Sequence, residues 1–145
     1  MPVGVSVGQK ENPNAQTFYY RESFKKEPRF RDTIAVDFDG VLNSYTTKMG
    51  LDKQHLLPDP PVPGALDWVN EMVQHYNVVV FTCRAQFSYG VIAVKKWLDR
   101  HGFPPLEVTG EKPIAMLYLD DRGYLFTGIF PSLDYVQSFQ PWHKL

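Results

Sequence analysis

From about residue 32 onward the chain alternates between two hydrophobic rhythms. Short unbroken apolar runs rich in β-branched residues, TIAVDF (33–38), NVVVFT (77–82), LEVTG (106–110) and AMLYLDD (115–121), read as strands buried on both faces. Between the first two lies ALDWVNEMVQHY (65–76), in which Leu66, Val69, Met72, Val73 and Tyr76 recur at helical spacing. Pro63 suits the start of that helix. A second helix is expected over YGVIAVKKWLDRHG (89–102), with Gly102 as its C-cap and Pro104 closing it off. YLFTGIF (124–130) is a candidate fifth strand, and PSLDYVQSF reads as a short helix in the tail. No internal repeat or low-complexity tract interrupts the series. Strands alternating with helices predict an α/β fold with a mostly parallel sheet covered on both faces.

Composition adds limits rather than a function. At 145 residues the chain suits one domain with a real core. A net charge of -1 does not advertise a nucleic-acid or anionic-membrane surface, though it leaves room for a local basic patch. A single cysteine, Cys83, allows no intrachain disulfide. Neither a signal-peptide pattern nor a run of roughly 20 apolar residues is present, so a cytoplasmic protein is expected. Residues 1–31 read as a separate, partly ordered arm ahead of a domain over 32–145. Its second half, TFYYRESFKKEPRFRD, interleaves aromatics with Arg and Lys. Such a segment either packs its aromatics on the domain or meets phosphates and stacked bases.

Chemistry collects where the strands end. The first strand is followed by Asp37 and Asp39, the second by Thr82, Cys83 and Arg84, the third by Lys112, the fourth by Asp120 and Asp121. In a doubly wound sheet the carboxyl ends of the strands form the ligand-binding edge. Carboxylates gathered there repel one another unless a cation joins them. Oxygen donors without a His or Cys cluster suit Mg²⁺, which commonly binds phosphate beside one or two carboxylates. The edge therefore reads as a phosphoryl-transfer site.

The motifs carry a resemblance. VDFDGV, VVVFT, the Lys of EKP and LYLDD, in that order, resemble the four motifs of the haloacid dehalogenase (HAD) superfamily of phosphohydrolases, over roughly residues 33–130. The resemblance implies a HAD-like, Rossmann-like three-layer sandwich and an aspartyl-phosphate mechanism. In that scheme Asp37 is the nucleophile and Asp39 the general acid and base, with its backbone carbonyl also on Mg²⁺. Gly40 permits the turn and close approach. Thr82 donates to a phosphoryl oxygen, and Lys112 neutralises the phosphoryl charge and orients Asp37. Asp120 and Asp121 complete the Mg²⁺ site, one directly and one through water. Arg84 either holds substrate phosphate or pairs with Asp120 or Asp121. Cys83 is expected to be a buried small residue, and Arg122 a structural one. The four histidines, His55, His75, His101 and His143, show no paired metal spacing, and Trp142 is expected to anchor the C-terminus.

Neither interval between the first three motifs has room for a folded cap. Within the superfamily an uncapped site implies a large substrate, and the chain is similar to small bacterial and viral HAD-like hydrolases and to the phosphatase half of polynucleotide kinase 3′-phosphatases. The expected activity is phosphomonoester hydrolysis on a substrate such as a nucleic-acid 3′-phosphate end. A nucleotidase or sugar-phosphate phosphatase is the alternative enzyme. A phosphate- and Mg²⁺-binding regulatory module with little turnover is the alternative of another class.

Overall fold

The structure, a computed structural model, describes residues 32–53 and 55–144. The arm over 1–31 lies outside the described residues. Four strands, β1 (Thr33–Val36), β2 (Asn77–Phe81), β3 (Glu107–Thr109) and β4 (Leu117–Leu119), form one sheet in the order β3-β2-β1-β4. Every pairing is parallel, with Val36 opposite both Val80 and Leu119, and Val80 opposite Val108. Helix α1 (Ala65–Met72) joins β1 to β2, α2 (Ser88–Arg100) joins β2 to β3, and a short α3 (Leu133–Ser138) follows β4. The periodicity argument thus recovers the α/β class, the four strands and the three helices.

One side of the sheet is packed as the alternation demands. Ile34, Val36, Val78, Val80 and Val108 cluster with Val69 of α1 and with Val94, Trp97 and Leu98 of α2. Phe38, just past β1, meets Trp97 edge to face at 4.9 Å between ring centroids. The buried Trp97 indole N–H is satisfied by the Asp59 carbonyl at 2.9 Å. This bond fixes the proline-rich β1–α1 loop against α2. Asp59 is itself buried, and its carboxylate accepts from the hydroxyls of Thr46 and Thr47 and from the Thr47 N–H.

The end of α2 is built as the sequence proposes. Gly102 adopts φ +80°, its N–H donates to Asp99 O, and the Phe103 N–H donates to Leu98 O. These are the two bonds of a Schellman motif, with Phe103 and Leu98 both buried beneath them. Elsewhere the pattern misleads. α1 stops at Met72 rather than at residue 76, because Gln74 and His75 donate to Glu71 and Met72 in tightened turns. Pro63 stands in the turn before α1, and Gly64 at φ +88° is the residue that opens the helix. The stretch 124–130 forms no strand; its apolar side chains are exposed, and Gly128 at φ +101° leaves extended geometry.

The expectation of helices on both faces also needs revision. β1 to β2 and β2 to β3 step the same way across the sheet, so right-handed crossovers put α1 and α2 on one face. A helix on the other face would have to lie in the β3–β4 connection, and residues 110–116 hold none. The second helical layer of a three-layer sandwich is therefore not formed by the described residues. No folded insert stands between β1 and β2 or between β2 and β3, in keeping with the expected capless design. No described helix is long and apolar enough to cross a membrane.

Candidate functional site

The sheet order reverses at β1. The chain leaves β1 toward β2 on one side, while β4 lies on the other. The carboxyl ends of β1 and β4 therefore flank the topological switch point, where the two connections diverge and leave a crevice. Asp37 stands at one lip, its backbone N–H donating to Leu119 O at 2.8 Å, and Asp120 and Asp121 stand at the other. One carboxylate oxygen from each of Asp37, Asp120 and Asp121 lies within 4.8 Å of the others. Three of the four acids named from the sequence are thus brought together.

Their packing has an electrostatic cost. Burial, then the hydrogen bond shared with Asp121 and the charges of Asp120 and Asp121, push the Asp37 carboxyl up to about 7, against a smaller opposing pull from the Phe38 N–H. That N–H donates to Asp37 Oδ1 at 2.7 Å. A cation among the three groups would remove the repulsion, and the donor set is all oxygen, as Mg²⁺ requires. The residues present fit such an ion. Asp120 also turns the chain, its Oδ1 accepting from the Arg122 N–H at 2.7 Å.

Asp39 faces elsewhere. The Arg84 guanidinium grips it with two parallel bonds, Nε to Oδ2 at 2.6 Å and Nη2 to Oδ1 at 3.0 Å, and Asn43 Nδ2 adds a third at 3.1 Å. Arg84 therefore pairs with Asp39 and not with Asp120 or Asp121 as the sequence reading allowed. The reason is geometric: the turn Cys83–Gln86 at the end of β2 directs the arginine fork across to the loop after β1. The Asp39 carboxylate, named as a metal group from the sequence, lies with Arg84 and Asn43 rather than in the acid cluster.

Thr82 is buried at the end of β2, where its N–H donates to Thr109 O and its hydroxyl accepts from the Arg84 N–H at 3.3 Å. That bond uses the oxygen as acceptor and leaves the hydroxyl proton to donate. Lys112 is exposed, its ammonium 4.7 Å from the centre of the Tyr118 ring. It lines, with Asp37, Asp120, Tyr118, Tyr124 and Phe126, an open cleft of about 740 Å³. Cys83, expected to be buried, is exposed, because it opens the turn beyond the sheet rather than ending the strand inside it.

Gly40 has both properties assigned to it. Its φ is +80°, and a Cβ there would stand 2.5 Å from Asp121 Oδ2 and 2.7 Å from His143 Nε2. The close approach is thus to the protein's own side chains. Trp142 anchors the C-terminal end as expected, its indole N–H donating to Gly40 O at 2.7 Å. His143 was missed: its Nε2 lies 2.7 Å from Asp121 Oδ2, in a pair whose side chains are 4% and 3% exposed. No spacing rule reaches from residue 121 to residue 143, so only the PW anchor beside it offered a signal. Tyr45, a non-glycine residue at φ +54°, sets its ring between Arg84 and His143, at 5.9 Å and 6.1 Å.

No family model, curated protein or solved structure matches the chain. The geometry is what bears on function.

Proposed function

We propose that the protein is a Mg²⁺-dependent phosphomonoester hydrolase of HAD type that works through an aspartyl-phosphate intermediate. The observation that carries this reading is the convergence of Asp37, Asp120 and Asp121 at the β1/β4 switch point. Asp37, Asp120 and Asp121 would hold the cation, which when bound supplies charge neutralisation for the phosphoryl oxygens and for the nucleophile itself. An Asp37 oxygen attacks phosphorus in line with the leaving oxygen. The P–O bond to the leaving group breaks with its electron pair on that oxygen, and Asp39 delivers a proton to it. Asp39, now a carboxylate, then takes a proton from water as the water oxygen attacks phosphorus. The Asp37–phosphorus bond breaks, and inorganic phosphate leaves. The Thr82 hydroxyl donates to a phosphoryl oxygen, and Lys112 at the mouth of the cleft attracts the dianion.

Arg84 has a part in this scheme. Its fork fits phosphate as well as it fits carboxylate. An arriving phosphate shares the guanidinium and loosens the Arg84–Asp39 pair, which frees Asp39 for proton transfer. The open cleft and the connections without a folded insert favour a large phosphorylated substrate, of which a nucleic-acid 3′-phosphate end is the type proposed. The bidentate Arg84–Asp39 pair also favours a second reading, a Mg²⁺- and phosphate-binding module with little turnover, since it occupies the group that must act as acid.

Phosphate release in Mg²⁺ from a 3′-phosphorylated oligonucleotide, nucleoside monophosphates and sugar phosphates separates these readings. Preferred turnover of the oligonucleotide supports the assignment. Preference for a small substrate transfers it to a nucleotidase or sugar phosphatase. Binding of phosphate without turnover of any substrate supports the binding module.

A further inference from the structure

The four motifs end at Asp121, yet the site does not. Two consecutive residues from the far end of the chain return to it. Trp142 bonds the carbonyl of Gly40, in the loop that follows the nucleophile. His143 bonds the carboxylate of Asp121, at the end of β4. The two contacts join the lips of the crevice, and both rings are locked by neighbours, with Trp142 and His143 near-perpendicular at 5.8 Å and Tyr45 edge-on to His143. The absence of a Cβ at Gly40 leaves the space that the Asp121–His143 pair fills.

A carboxylate held through one oxygen presents the other in a fixed direction, and outer-shell bonds of this kind tune metal sites. We propose that His143 is a positioning residue of the cation site: it holds Asp121 in the orientation that binds the divalent ion, and Trp142 fastens it to the loop carrying Asp39 and Gly40. The C-terminal turn Trp142–Lys144 is then a working part of the metal centre rather than a tail packed against it. This inference rests on the Mg²⁺ reading above.

The test is direct binding of Mn²⁺, followed by the EPR signal of the free ion, to the full chain and to variants that keep the wild-type circular dichroism and a cooperative melt. His143→Phe keeps an aromatic ring and removes the bond; His143→Gln keeps a side-chain donor. The expected result is a loss of Mn²⁺ affinity of about 10- to 100-fold in His143→Phe, largely recovered in His143→Gln. Trp142→Phe, which leaves His143 in place, is expected to weaken binding in the same direction by a smaller factor, and it carries the test if His143→Phe does not fold. Wild-type affinity in both His143→Phe and Trp142→Phe overturns the inference and leaves the metal reading intact. Equal weakness of His143→Gln and His143→Phe overturns it as well, since shape and not the bond would then matter. A wild-type chain that binds no Mn²⁺ overturns the inference together with the metal reading.

Discussion

Asp37 is the residue on which most of the physics converges. Its carboxyl titrates near 7 instead of the ordinary 3.8, chiefly because it is buried and then because Asp121 and Asp120 adjoin it. A raised carboxyl pKa means that the metal-free folded state keeps a proton that the unfolded chain has lost. Between about 4 and about 7 the folded state therefore binds more protons, and this group's contribution to stability falls as pH rises, levelling above 7. Melts in EDTA across that window are expected to decline more steeply for wild type than for Asp37→Asn, and added Mg²⁺ is expected to reverse the decline. At Gly40, substitution by Ala forces a Cβ into Asp121 and His143 at positive φ. We expect a loss of about 1–3 kcal/mol in chemical denaturation, with weaker metal binding. At Arg84, replacement by Lys removes the two-pronged grip. The expected result is a KM for phosphomonoester higher by about tenfold, with a smaller change in kcat. Residue types at the strand ends were readable because Asp, Thr and Lys after apolar runs have few structural reasons to be there. The Arg84–Asp39 pairing was not readable, because sequence names a guanidinium without saying which of four nearby carboxylates it reaches. His143 was hidden for a related reason: a histidine's partner is set by where the chain returns, and nothing local encodes that.

At the scale of elements, strands and helices were legible wherever burial and periodicity agree. β1 and β2 are buried nearly throughout, and α2 carries its apolar stripe into a Schellman stop that Gly102 announces. The failures fall where these signals conflict. The run 124–130 has strand-like residues but a glycine at positive φ and no neighbour to pair with, so apolar character alone made the prediction. The end of α1 failed because Val73 and Tyr76 extend the hydrophobic stripe into a turn that tightens to enter β2. α2 is the element that ties the site-bearing loop to the core, through Trp97. Trp97→Ala removes a fully buried ring and its bond to the Asp59 carbonyl, and is expected to cost about 3–5 kcal/mol. The β1–α1 loop should loosen with it, read as faster hydrogen exchange at residues 43–62.

At the scale of the whole molecule, the fold is a parallel sheet with its helices on one face and its acids at one edge. That edge was legible because β–α alternation sends every strand's carboxyl end the same way. The second face was not, since the same alternation does not say on which side each crossover lies until strand order is known. Catalysis in this account needs the switch point, the cation and Asp37 together, so one comparison bears on all three. Hydrolysis of p-nitrophenyl phosphate by wild type and Asp37→Asn, each in Mg²⁺ and in EDTA, makes it. The account expects release by wild type in Mg²⁺ alone, and a loss of at least about a thousandfold in Asp37→Asn, as removing a covalent nucleophile requires. Release that persists in EDTA, or at the wild-type rate in Asp37→Asn, would contradict it.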